Sequence, residues 1–252
     1  MLGQICMDIA PQPDNRRNSE GALITCRDES ILFVYSRFQG DGMQAADLAA
    51  MRSRDDGRTF SASRVIVTHT QDQAENIMSV SLLRMQDGQI GLFYLVRHTL
   101  HCMRMFLRRS ADEGETWSEK TLCTPEEGYF VVNNDRVVRL RDGTLLIPAA
   151  IHRKGYAQTP GDAGFFDMRS DAVFFRSRDD GKTWQKSANK CTMPYTAHCQ
   201  SGLQEPGVIE LASGVLWGWA RTDLGRQYEM FSMDGGETWT CAQPSRFTSP
   251  NS

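Results

Sequence analysis

The sequence lacks several features, and each absence narrows what the chain can be. No apolar run approaches the ~18 residues that a membrane-spanning helix needs, so no membrane span is expected. The start, Met-Leu-Gly-Gln-Ile-Cys-Met-Asp, has no basic stretch leading into an apolar one, so no secretory signal is expected. Basic residues do not outnumber acidic ones: 28 Lys and Arg stand against 31 Asp and Glu, a net charge of −3. That balance excludes the basic stripe on which nucleic-acid binding depends. The seven cysteines, Cys6, Cys26, Cys102, Cys123, Cys191, Cys199 and Cys241, form no C-x-x-C pair and no metal-ligand spacing. They read as free thiols in a reducing, cytoplasmic compartment, and neither a metal nor a cofactor is expected. No stretch sustains a helical period. What is present is 252 residues, 40% hydrophobic and 23% charged, enough for one domain over 1–252 with a sizeable core.

The chain is internally repetitive. An octapeptide, Ser-x-Asp-x-Gly-x-Thr-aromatic, occurs four times: SRDDGRTF from Ser53, SADEGETW from Ser110, SRDDGKTW from Ser177 and SMDGGETW from Ser232. Its physics is local. The Ser and Asp side chains can bond the amides of their own turn, Gly adopts a positive φ, and the aromatic packs back onto the sheet. A calcium loop of the EF-hand kind would need a ligand at every second position and a Glu at the twelfth, which the octapeptides lack.

Before each octapeptide come two apolar stretches joined by a turn signal, over 22–36, 80–96, 135–151 and 206–220. Short β-branched and aromatic runs around Asp-Gly or Ser-Gly predict β-hairpins. A third strand (105–109, 173–177) leads into the octapeptide, and a fourth follows it. Four antiparallel strands per repeat make a blade, and the expected fold is an all-β propeller with about four blades in this chain.

Residues equally far before and after a hairpin turn lie side by side at its open end. The four open ends gather Arg17, Glu20 and Arg37; Asn76, Ser79, Arg97 and His98; Asn133, Asn134, Asp135, His152 and Arg153; and Gln204, Glu205, Arg221 and Asp223. Several arginines at one mouth suit an anionic ligand, because guanidinium grips carboxylate at two points. Neighbouring carboxylates suit acid–base chemistry.

The octapeptide resembles the Asp-box, and nearly the whole chain resembles the sialidase (neuraminidase) superfamily of BNR-repeat proteins, whose propellers have six blades. The branch it most resembles carries an Arg-Asn-Ser-Glu-Gly motif, here Arg17 to Gly21. The resemblance implies a retaining exo-α-sialidase-like hydrolase acting on terminal sialic acid of glycoconjugates. Arg17 and Arg221 would bind the substrate carboxylate, and Asp41, or Asp47 in the same loop, would be the acid/base. Glu205, in the order Glu–hairpin–Arg–octapeptide, would activate a nucleophilic tyrosine. Glu20, Arg37, Asn134, Asp135, His152 and Gln204 complete the expected substrate-binding set. The family's Arg-Ile-Pro is Arg-Asn-Ser here. Its third arginine and its tyrosine would lie in two further blades, so the expected chain is a C-terminally incomplete propeller. The alternatives are a non-catalytic propeller binding glycans or acidic sugars, a hydrolase of another sugar, and a protein-binding scaffold.

Overall fold

The computed structural model describes residues 5–40, 45–154, 166–194 and 198–249. Every regular element among them is a β-strand, and no helix is long and apolar enough to cross a membrane. The chain divides into two compact units, one comprising 1–99 with 106–121 and the other 100–105 with 122–252.

In the first unit, β1 (Arg17–Thr25), β2 (Ile31–Phe38), β3 (Ala46–Ser53) and β4 (Arg64–Val67) form a sheet in chain order. A second meander contains β5 (Asn76–Arg84), β6 (Ile90–Thr99) and β7 (Cys102–Ser110), whose residues from Phe106 on belong to this unit, and β8 (Thr121–Leu122). Val34, Tyr35, Leu48, Ile77, Val80, Phe93 and Tyr94 are buried between them. In the second unit, β9 (Tyr129–Val131) and β10 (Val138–Arg139) both pair with β11 (Leu145–Lys154), followed by β12 (Phe166–Ser177) and β13 (Gln185–Lys186). The last sheet is β14 (Gln204–Glu210), β15 (Leu216–Arg221), β16 (Arg226–Ser232) and β17 (Gln243–Thr248), again in chain order. Leu146, Phe174, Leu203, Val208, Met230 and Trp239 form the centre of its core.

The hairpin turns follow one plan. The amides of Glu29, Gly88, Gly143 and Gly214 donate to the carbonyls of Cys26, Met85, Leu140 and Leu211, at 3.1, 3.0, 2.9 and 2.9 Å. Each donor residue is left-handed, with φ of 64°, 83°, 91° and 86°. Three hairpins use glycine there, and the first uses Glu29 against its steric preference.

The octapeptide turns are equally uniform. The Ser Oγ accepts from the Gly amide at 2.9, 2.7, 2.7 and 2.9 Å in turns one to four, and donates to the Asp Oδ1 at 2.7–2.8 Å. The Thr hydroxyl donates to the Asp Oδ2 at 2.5–2.6 Å. In Asp55 and Asp112 the Thr hydroxyl, then the Thr amide, holds the carboxyl down to about 2. In Asp179 and Asp234 burial pushes upward, but the same bonds outweigh it and the value is again about 2. These depressed values stabilise the fold above the ordinary carboxylate range, and that contribution is lost as pH falls toward 2.

One feature is absent from the sequence pattern. Each first strand carries a bulge near its open end. Glu20 and Gly21 together face Tyr35, Ser79 and Val80 face Tyr94, and Glu205 and Pro206 face Ala220. Glu20, Ser79 and Glu205 are left-handed, with φ of 58°, 58° and 51°. In the third repeat the interruption is wider. Residues 132–137 stand against 147–149, Asp135 has φ 54°, and the strand expected from residue 135 shrinks to Val138–Arg139.

Candidate active site

The bulges place the candidate side chains. A two-against-one bulge turns one side chain away from the strand's alternation and twists the strand locally. A non-glycine residue held left-handed costs about 1–3 kcal/mol, a strain that collects at functional sites. Among the described residues, four of the nine left-handed non-glycine residues, Glu20, Ser79, Asp135 and Glu205, fall in the four open ends that the sequence singled out, and Glu29, Asp56, Glu113 and Asp180 shape the hairpin and octapeptide turns.

In the first unit, Arg17 lays its guanidinium 3.7 Å from the centre of the Phe38 ring and 3.8 Å from Glu20 Oε1. Glu20 Oε2 accepts from Ser79 Oγ at 2.8 Å, and the Ser79 amide donates to Ser36 Oγ at 3.1 Å. Arg17, Glu20 and Ser79 therefore form one linked group. Ser79, gathered at the second open end by the sequence, was not in the expected substrate-binding set, although its place in the repeat matches that of Glu20. Arg37 is turned to Asp14, bonding its Oδ2 at 2.7 Å and holding that carboxyl below its ordinary value. Asp47 is buried opposite Arg37, and its Oδ1 accepts from both the backbone amide and Nδ1 of His69, at 2.9 and 2.8 Å. No sequence signal marks His69 for this role, because it arrives from the loop after β4. Asp41 lies outside the described residues.

In the second unit, Glu205 and Arg221 form a two-point pair: Nε donates to Oε2 at 3.0 Å and Nη2 to Oε1 at 3.1 Å. Asp223 supports the approach to Glu205, its Oδ2 accepting from the amides of Gln200 and Ser201 at 2.8 and 3.1 Å. Gln204 is buried and braces the same approach, donating from Nε2 to the carbonyls of Met168 and Ser201 at 2.7 and 2.9 Å. His152 is also buried. Its ring packs against Tyr129 and Phe166, with centroids at 5.9 and 4.8 Å, and Nδ1 donates to the Asp167 carbonyl at 3.1 Å. Burial lowers its pKa, so the neutral ring is favoured. Gln204 and His152 thus hold the frame. Asp135 reaches solvent at the tip of its turn, where crowding by protein raises its carboxyl above the ordinary value while Arg136 pulls it down. Asn134, half-buried, precedes it on the same turn.

Each unit thus carries an arginine beside a carboxylate at the open end of a bulged hairpin. Such a pair can exchange its internal carboxylate for a ligand's, because a guanidinium offers two parallel donors to either. Among the described residues no group of His, Cys, Asp and Glu is arranged to hold a metal ion.

Comparison with known proteins agrees with this architecture. Residues 65–252 match the model of the BNR repeat-like domain. A sialidase of Bacteroides fragilis is 27% identical over 159 residues, 60% of this chain and 25% of its own length. An anhydrosialidase of Macrobdella decora is 29% identical over 147 residues, 55% of this chain and 16% of its own length. The chain therefore spans a quarter or less of these curated relatives. Among solved structures, a Hadza microbial sialidase superposes with a TM-score of 0.69 at 22% identity, covering 93% of this chain and 48% of its own, a likeness of fold. The chain belongs to the BNR repeat-like family, and so to the BNR-repeat proteins of the sialidase superfamily.

Proposed function

We propose that the four repeats are blades of a six-bladed, sialidase-like β-propeller and that their open ends serve a retaining exo-α-sialidase-type hydrolase. The observation that carries this reading is the Glu205–Arg221 pair, set by a strained bulge in the hairpin that precedes the fourth octapeptide. Arg17 and Arg221 bind the sialic acid carboxylate, Asp41 protonates the leaving oxygen, and Glu205 accepts the proton of a tyrosine nucleophile. A tyrosine avoids bringing a second carboxylate against the substrate's own. When the substrate carboxylate takes the Arg221 donors, Glu205 is released to act as that base. Glu20, Asn134 and Asp135 face the sugar's hydroxyls.

A second reading, binding of acidic sugars without turnover, needs only the arginine–carboxylate pairs at the open ends. Calorimetry with the unsaturated analogue of sialic acid tests the shared part of both readings. Arg17→Lys and Arg221→Lys keep the charge but lose the fork, and each should weaken binding by about 10-fold, ~1.4 kcal/mol. Unchanged affinity in both variants would remove the carboxylate clamp. Release of a fluorophore from an α-sialoside then separates the readings: turnover abolished by Glu205→Ala supports the hydrolase, and binding without turnover supports the second reading.

A further inference from the structure

We propose that Asp72 is a positioning residue for the open ends of the first unit. The buried charges gathered on it fix the loop over 68–75, which brings His69 to Asp47, against the strand that faces the Ser79 bulge. The inference deepens the hydrolase reading and rests on it for the use of these open ends.

The loop joins β4 to β5 and is folded on itself. The amides of Asp72, Gln73 and Ala74 donate to the carbonyls of Thr68, Thr70 and His69, at 3.3, 3.1 and 2.9 Å. Gln73 is left-handed, with φ of 53°. Displacing Asp72 therefore displaces His69. That histidine meets Asp47 through both its amide and Nδ1, and Asp47 pairs across the sheet with Arg37.

Asp72 is buried together with its partners. Its Oδ2 accepts from the Tyr94 hydroxyl at 2.6 Å, and its Oδ1 from Arg108 Nη2 at 2.6 Å. Lys120 Nζ lies 3.2 Å from the same Oδ1 and donates to the Asp72 carbonyl at 2.9 Å. Arg108 also donates from Nε to the Tyr94 hydroxyl at 2.8 Å and from Nη1 to the Ser118 carbonyl at 2.6 Å. The side chains of Asp72 and Arg108 are only 1% and 4% exposed. Taking such a pair out of water costs about what its attraction returns, and apolar side chains of equal volume hold a fold as well or better. Stability alone therefore does not account for it. What a closed polar network adds is position, because its donors and acceptors are all satisfied in one arrangement. The position matters on both sides of the network. On one side is the loop with His69 and Asp47. On the other, Tyr94 is the residue that Ser79 and Val80 face together, and Ser79 bonds the Glu20 that lies beside Arg17.

Hydrogen exchange on the 252-residue protein tests this without any ligand. The triple variant Asp72→Leu/Tyr94→Phe/Arg108→Met removes the network and keeps its volume, and Lys120, 22% exposed, is free to turn to water. The expected result is a denaturant midpoint no lower than the parent's, with the His69 and Ala74 amides exchanging at least about 10-fold faster. Tyr94→Phe alone keeps the ion pair and should speed them by about 3-fold, and it decides the question where the triple variant does not fold. Folded variants whose loop amides exchange at the parent's rate overturn the proposal. Calorimetry adds the functional readout. The triple variant should bind the unsaturated analogue of sialic acid about 10-fold more weakly than the parent, and an unchanged affinity overturns the positioning role. A parent that does not bind it removes the hydrolase reading instead, and the exchange rates still decide whether Asp72 holds His69 in place.

Discussion

In the first unit, the second octapeptide turn is held by arginines. Arg84 grips Glu113 with both terminal nitrogens at 2.8 Å, and Arg27 adds its backbone amide at 3.1 Å. Arg64 donates to the carbonyls of Gly114 and Glu115 at 3.2 and 3.1 Å. In the second unit the fourth turn is held by ring stacking. Trp239 lies flat on Phe174 at 3.6 Å, and Asn189 bonds the Trp239 backbone on both sides, at 2.8 and 3.0 Å. The difference reaches the indole. Trp239 Nε1 donates to the Gly236 carbonyl at 3.2 Å, as Trp184 does to Gly181. In the first unit Arg64 takes the equivalent carbonyl, and the buried Trp117 Nε1 has no partner among the described residues. One octapeptide can thus be anchored through its carbonyls or through its aromatic, and using one weakens the other.

Removing the aromatic should separate the two anchors most clearly. Trp239→Ala should cost about 3–5 kcal/mol through lost stacking and a cavity, and Trp117→Ala, half-buried, about 1–3 kcal/mol. Equal costs in denaturant titrations would contradict the two-anchor comparison. Removing the acid should invert the order. Glu113→Gln breaks a largely buried two-point pair and should cost about 1–2 kcal/mol. Glu237→Gln removes a single contact of a side chain that is 54% exposed and should cost under about 0.5 kcal/mol. Raising the salt concentration should narrow that gap, and a larger loss for Glu237→Gln would contradict it. The smallest effect concerns the hairpins. Glu29→Gly relieves a left-handed glutamate and should raise stability by up to about 1 kcal/mol. Gly214→Ala, at the same place in the second unit, should lower it by about as much. A thermal melt of each decides the sign.

The octapeptides and hairpins were legible because their bonds are local. Ser53, Asp55, Gly57 and Thr59 satisfy one another within a single turn, so the pattern survives whatever surrounds it. The candidate residues were legible only as positions. His152 and Gln204 stand at strand ends as expected, but which face a strand-end side chain takes depends on the elements it meets. Here Phe166 and Tyr129 take up one, and the Met168 and Ser201 carbonyls take up the other. The bulges left no residue signature: Glu20, Ser79, Asp135 and Glu205 differ in size and charge, yet all adopt the left-handed backbone.

The sequence by itself determined the repeat, the turn chemistry, the all-strand composition and the four places where polar groups gather, because each follows from bonds spanning a few residues. Only the tertiary structure decided that Glu205 pairs with Arg221, that Glu20 joins Ser79 across 59 residues, and that Asp47 is held by His69. Those pairings depend on register and bulge placement. Both are fixed by burying one face of a sheet against its neighbour, and a one-residue slip would turn every side chain to the opposite side.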